Sequence, residues 1–146
     1  MIKFELLTEE EIKETVQHMV RFYAIDGYPI DPEKTGLLFK DFIQNPALGQ
    51  CFLIKENGLI CGYVLLIRFF SFEMGGYVLL LDELYISPEF QGKGIGKKAM
   101  AFVKEYAKEN DIKKIVLEVE PHNTHAIGLY EKEQFRKHKR HLMFFP

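Results

Sequence analysis

A chain of 146 residues that is 47% hydrophobic and 14% aromatic can bury one sizeable core but is short for two, so a single domain over residues 1–146 is expected. Nineteen Lys and Arg against 21 Asp and Glu leave a formal charge of -2, which excludes a general polyanion binder and sets no expectation of nucleic acid as partner. No run approaches the ~18 apolar residues of a membrane span, and the opening MIKFELLTEEE lacks the apolar core of a signal peptide, so a cytoplasmic protein without a membrane partner is expected.

An opening strand precedes Thr8, which forms a capping box with Glu11. Ile12, Val16, Met19, Val20 and Tyr23 then recur at helical spacing, predicting a helix from about Glu9 to Ala24. Two Pro-restrained turns follow, in a loop from Asp26 to Asp31 that is rich in aromatic and acidic groups. Leu37, Leu38, Phe42 and Ile43 mark a second helix, which Asn45-Pro46 ends.

From Gln50 the pattern changes to strands: CFLIKE, an Asn57-Gly58 turn, LICGYVLLIRFF, a break at Glu73 to Gly76, and YVLLLDELYIS. Such short connections predict an antiparallel meander. A two-residue turn at Asn57-Gly58 pairs Glu56 with Leu59, hence Ile54 with Cys61 and Cys51 with Val64. That register offsets Cys51 and Cys61 by roughly 10 Å, beyond the reach of a disulfide. Buried reduced thiols are expected, and no His is placed to activate either one as a nucleophile.

Next comes SPEFQGKGIGKKAM, Ser87 to Met100, in which Gly92, Gly94 and Gly96 alternate with Lys93 and Ile95. A helix from Gly96 to about Asn110 follows, with Ala99, Phe102, Val103 and Tyr106 on one side. Alternating glycines let backbone N–H groups converge, and the helix start adds a partial positive charge, so the loop suits an anion such as a pyrophosphate. A Walker A loop would need Gly where Gln91 stands and Ser or Thr where Lys98 stands, and a Rossmann fingerprint would need Gly at Lys97. Nucleotide hydrolysis and dehydrogenase chemistry are therefore not expected. A simple tight turn would use the glycines, but it has no need of Lys93, Lys97 and Lys98 around them.

KKIVLEVE reads as a strand, Asn123 to Lys132 as a short helix, and Phe135 to Phe145 as a final strand region. The order β-α-α-β-β-β-α-β-α-β predicts an α+β fold with helices on the faces of a sheet. The basic run RKHKRH, Arg136 to His141, reads as a solvated segment. His18, His122, His125, His138 and His141 show no ligand set at metal spacing, so no metal site is expected.

LDELYISPEFQGKGIGKKAM resembles the acetyl-CoA-binding motif of the GNAT superfamily of N-acetyltransferases, with the core pattern Gln/Arg-x-x-Gly-x-Gly/Ala. Gln91, Gly94 and Gly96 fill that pattern after an apolar strand and Pro88. The resemblance extends to the element order over nearly the whole chain and to the downstream helix motif NTHAIGLYEKEQF. It implies a mixed, mostly antiparallel central sheet and acetyl-CoA (coenzyme A) as the cofactor. It also implies that the pyrophosphate sits on the backbone N–H groups of Gln91, Gly92, Lys93, Gly94, Ile95, Gly96 and Lys97. The pantetheine arm would pair like an extra strand with Leu84, Tyr85 and Ile86, where the sheet splays. Side chains at positions 94 and 96 would then collide with the cofactor.

Acetyl transfer to an amine needs a neutral amine, a polarised thioester carbonyl and a proton for the departing thiolate. The resemblance places Tyr130, seven residues after Asn123, as the proton donor; a phenol with a pKa of about 10 is protonated at pH 7. Asn123 is expected to cap its helix, and its family equivalent also contacts the cofactor arm. Strand alternation puts Glu83 on one face with Leu81, Tyr85 and Ser87, and Asp82, Leu84 and Ile86 on the other. Similar enzymes use a carboxylate on this strand, often through water, to take the proton of the substrate ammonium, and burial raises its pKa toward the useful range. Against Glu83 as base stand a structural pairing with a nearby cation and the competitor Asp82, since a one-residue slip exchanges their faces. A backbone N–H near Ile86 is the expected donor to the carbonyl oxygen. Gln134 stands where the family shows Gly before the Phe matching Phe135, in a turn near the mouth of the cofactor tunnel.

The expected activity is acetyl transfer from acetyl-CoA to a primary amine by direct attack in a ternary complex, with a small amine as acceptor. The acceptor is expected between the Tyr23 to Ile30 loop and the Phe69 to Gly76 break, where Tyr23, Asp26, Tyr28, Asp31 and Glu73 offer aromatic walls and carboxylates to a cation. A non-catalytic acyl-CoA sensor would have no need of Tyr130, and an enzyme acetylating protein Lys or N-termini would present an open cleft to its peptide acceptor. The run HLMFF, His141 to Phe145, suits a core strand or a homodimer interface.

Overall fold

The computed structural model describes residues 1–146 and is built on a five-stranded sheet in the order β1-β2-β3-β4-β5. β1 spans Ile2–Leu6, β2 Gly49–Glu56, β3 Leu59–Ser71, β4 Gly76–Ile86 and β5 Lys114–Leu117. β1 to β4 pair antiparallel through short turns; β4 and β5 pair parallel and need the crossover supplied by the helix α3, Ile95–Glu109. Two helices, α1 (Ile12–Ile25) and α2 (Pro32–Ile43), fill the connection from β1 to β2, and α4 (Thr124–Lys132) follows β5.

Local chemistry sets these ends. The Thr8/Glu11 capping box forms ahead of α1, with the Thr8 amide donating to Glu11 Oε2 at 3.1 Å. Asp31 caps α2 by accepting from the amides of Glu33 and Lys34, with Pro32 in the first helical position. Asn123 caps α4, as expected, by accepting from the Ala126 amide at 3.1 Å.

Alternation along the strands gives the sheet two apolar faces. Cys51, Leu53, Tyr63, Leu65 and Tyr85 bury against Val16, Met19 and Phe39 of α1 and α2. Phe52, Ile54, Val64, Leu66, Leu79 and Leu81 bury against Ile95, Ala99, Met100 and Val103 of α3.

Two bulges correct the expected register. The Asn57-Gly58 turn does pair Glu56 with Leu59, but a bulge at Ile54/Lys55 then pairs Ile54 with Gly62 and Cys51 with Leu65. Cys51 and Cys61 are free thiols in the cores of opposite sheet faces. A second bulge at Leu65/Leu66 leaves Asp82 without a cross-strand partner. Leu81 therefore points toward α3 while Tyr85 and Glu83 point toward α1, instead of sharing one face.

The final strand expected over Phe135 to Phe145 does not form. Residues 136–141 are all basic or His and supply no apolar alternation, while Arg140 is drawn into a two-point contact with Glu73 in the β3–β4 turn. Leu142, Met143, Phe144 and Phe145 lie exposed, so HLMFF joins no core. No helix is long and apolar enough to cross a membrane.

Candidate active site

The glycine loop runs from the end of β4 through a short turn at Pro88–Phe90 into α3. Gly92 and Gly94 both have φ of +76°, a left-handed conformation that costs an L-residue about 1–2 kcal/mol. Gly96 is small for another reason: a Cβ there would lie 3.3 Å from Leu129 Cδ2 and 3.7 Å from Ile86 Cδ1, where α3 packs on α4 and β4. A Cβ at Gly94 would meet no protein atom within 4 Å. Collision with a cofactor is thus not needed to explain Gly96.

These conformations leave every backbone N–H from Gly92 through Lys97 without a protein acceptor, because the helical ladder of α3 begins with Lys98 donating to the Gly94 carbonyl. The run of free donors opens a helix of 15 residues and is flanked by exposed Lys93, Lys97 and Lys98. None of these three lysines is in an ion pair. Free backbone donors at a helix start with cations beside them are the donor set that suits a pyrophosphate. Gln91 Nε2 donates to the Ile86 carbonyl at 2.9 Å and ties the loop to the end of β4.

α1 braces the same loop at two points. Ser87 Oγ lies 3.2 Å from Nδ1 of buried His18, and Arg21 Nη2 donates to Glu89 Oε1 at 3.0 Å. Burial lowers the His18 pKa, which keeps the imidazole neutral at pH 7. Neither contact was legible in the sequence, because both depend on how α1 lies against β4.

β5 pairs with β4 only from Val78 to Leu81 and ends at Leu117, whereas β4 continues to Ile86. Beyond the Asp82 bulge, β4 keeps β3 on one side and has an unpaired edge on the other. Leu84, Tyr85 and Ile86 thus border the expected splay, with the glycine loop at its head. Tyr130, on α4, packs against the α3-side core, its ring 6.0 Å from Phe135 in an edge-on arrangement. Burial holds its hydroxyl above the ordinary phenol pKa, so it is protonated at neutral pH.

Glu83 lies on the other face, 9% exposed. Tyr23 donates to its Oε2 and Tyr63 to its Oε1, both at 2.6 Å. Burial raises the Glu83 pKa, and the two phenols oppose the rise by stabilising the carboxylate. No cation pairs with it. Asp82, the competitor, is exposed at the bulge. Tyr63 was missed in the sequence, where it reads as one more core residue of an apolar strand.

The expected acceptor residues are not all brought together. Tyr23 reaches Glu83, but Asp26 Oδ1 contacts His122 Nε2 at 2.9 Å and Tyr28 donates to Glu120 at 3.5 Å. The α1–α2 loop is thereby joined to the β5–α4 loop. Glu73 accepts from Arg140 at the opposite end of β4, seven residues or roughly 23 Å along the strand from Glu83 if measured from Gly76.

The model of the acetyltransferase (GNAT) family matches residues 12–135, which takes in α1, α2, strands β2 to β5, the glycine loop and α4. The chain belongs to the acetyltransferase (GNAT) family. It is 31% identical over 85 residues to an uncharacterised N-acetyltransferase, YhfO, of Bacillus subtilis, covering 58% of this chain and 57% of that protein. To a spermine/spermidine N(1)-acetyltransferase of the same species it is 39% identical over 57 residues, 38% of each chain. The chain thus spans little more than half the length of one of these relatives and less of the other. An integron cassette protein from the mobile metagenome of Cole Harbour Salt Marsh superposes with a TM-score of 0.86 at 25% identity, covering 98% of this chain and 89% of that one. Acetyl-CoA is the acetyl donor of GNAT acetyltransferases.

Proposed function

We propose that this protein transfers the acetyl group of acetyl-CoA to the nitrogen of a small primary amine by direct attack within a ternary complex. The observation that carries the proposal is the run of unpaired N–H groups from Gly92 to Lys97 at the head of an unpaired β4 edge, with a buried carboxylate on the other face of the same strand.

Bound acetyl-CoA supplies the activated thioester. The free amides of Gly92 to Lys97 and the lysines beside them hold its pyrophosphate, and the β4 edge at Leu84, Tyr85 and Ile86 takes its pantetheine arm. Asn123 adds a contact to that arm while capping α4. Glu83, directly or through water, accepts the proton of the incoming ammonium, and a backbone N–H near Ile86 polarises the carbonyl. As the nitrogen–carbon bond forms and the carbon–sulfur bond breaks, Tyr130 would give its phenolic proton to the departing sulfur and regain one from the acetylated nitrogen, leaving an N-acetyl amine and free thiol with the ammonium's first proton on Glu83.

Direct attack is favoured because the alternative nucleophiles are withheld. Burial pushes the Cys51 thiol up to about 12 and raises that of Cys61, and Ser87 is buried against His18. The bridges Asp26–His122 and Tyr28–Glu120 draw two loops together beyond the end of α1 that carries Tyr23, which favours a small acceptor over a protein. The name of the spermine/spermidine relative accords with this class.

Initial velocities measured with acetyl-CoA and amine both varied test the proposal. Intersecting lines are expected. Parallel lines would show a covalent acetyl-enzyme instead, and tight acetyl-CoA binding without thiol release for any amine or Lys peptide would leave a sensor.

A further inference from the structure

Asp26 and Glu73 are occupied by His122 and Arg140, so what recognises the body of the acceptor has to be sought elsewhere. Between α1, α2 and the α1-side face of the sheet lies a cavity of about 360 Å³. Its walls are apolar, drawn chiefly from Leu38, Phe39, Phe42, Leu48, Leu65 and Ile67. Its mouth is marked by Leu38 and Leu48, which are 59% and 53% exposed. Glu83, 9% exposed, and Tyr23 also line it. No cation lines it; besides Glu83 the one charged residue is Asp41, exposed on α2.

We infer that this cavity is the acceptor pocket and that it selects a primary amine carried on an apolar body, such as an unbranched alkyl or an arylalkyl chain. The inference rests on the acetyl-transfer reading above. A buried carboxylate in the wall of an apolar cavity complements a single cationic head with a greasy tail. The Asp82 bulge is what makes this possible, because it turns Glu83 away from the α3 core and into the cavity, beside the β4 edge that β5 leaves unpaired. The volume lies at the small end of the ~300–1,000 Å³ typical of ligand pockets, which suits a small amine and not a peptide. A polyamine of the same length would bring charged or polar nitrogens against Phe39, Phe42 and Leu65 with no partner for them.

Two readouts on the full chain separate this inference from its parent. The first is kcat/KM for primary alkylamines from propylamine to octylamine, with phenethylamine and spermidine alongside. The second is calorimetric binding of the same amines to protein saturated with coenzyme A. The expected result is a rise in kcat/KM of about fourfold per methylene until the cavity is filled, with alkylamines better than spermidine. Leu38→Trp, at the exposed mouth, should raise the KM for octylamine at least tenfold and leave the KM for acetyl-CoA unchanged. Turnover that is flat or falls with chain length, or an octylamine KM untouched by Leu38→Trp, overturns the pocket while the transfer reading stands. Chain-length-dependent binding without turnover upholds the pocket and overturns the transfer reading. Neither binding nor turnover of any amine overturns both.

Discussion

The phenolic oxygen of Tyr23 on α1 lies 2.6 Å from Glu83 Oε2 on β4, although the two residues stand 60 apart in the chain. With Tyr63 on the other oxygen, the carboxylate is held by two neutral donors and no cation. A group held this way is buried without being locked into an ion pair, which leaves its charge free to change during turnover. Tyr23→Phe should therefore lower kcat, as steady-state kinetics would show.

The pH dependence follows from the same pair of phenols. Glu83 accepts a proton only when ionised, so kcat/KM falls as the pH drops through its raised pKa. Tyr63 lowers that pKa by its hydrogen bond. In Tyr63→Phe that stabilisation of the carboxylate is gone, and the acid limb of the profile should move to higher pH. Stability changes with the opposite sign: a carboxylate whose folded pKa lies above its unfolded value favours folding below the unfolded pKa, and that advantage is lost as pH rises through the folded one. An acid limb that stays put in Tyr63→Phe would remove Glu83 from the rate.

Glu73 and Arg140 form an exposed pair, both groups more than half exposed. Solvent screening leaves pairs of this kind little weight in stability. Glu73→Gln is expected to leave the melting temperature within a degree or two and the acceptor KM unchanged, as steady-state kinetics would show. A marked rise in acceptor KM would return Glu73 to the site.

Gly94→Ala places a side chain at φ of +76°, with no protein atom in the way. The backbone cost is about 1–2 kcal/mol, or a melting shift of roughly 2–8 °C. Acetyl-CoA affinity, measured by calorimetry, should fall at least tenfold because the loop amides no longer converge. Retained affinity would show that the loop is not the pyrophosphate site.

Gln134 adopts φ of +73° in the turn after α4, a left-handed conformation that glycine takes without strain. An L-residue pays about 1–2 kcal/mol there, and glycine pays roughly half of that in added chain freedom. Gln134→Gly is expected to raise the melting temperature by about 1–4 °C without changing kcat.

The fold was legible where local chemistry is strong. Thr8 with Glu11, Asn57-Gly58 and the glycines after Pro88 each announce a turn or a helix start that the structure contains. The two bulges were not legible, since an extra residue in a strand leaves composition and approximate alternation intact. They account for the shifted partners of Cys51 and Ile54 and for Glu83 parting from Leu81. Tyr63 hid among apolar neighbours because its role depends on cross-strand placement. Asp26 and Glu73 looked free because their partners, His122 and Arg140, lie 96 and 67 residues away. The final strand was overread from its aromatic end, while the basic run before it has no face to bury.

The most direct measurement is thiol release from acetyl-CoA with and without a primary amine, by wild type and by Tyr130→Phe. Amine-dependent release that falls by about 10²-fold or more in the variant, with the acetyl-CoA KM little changed, is the predicted result. Release that is independent of amine, or equal in the two proteins, would contradict the account.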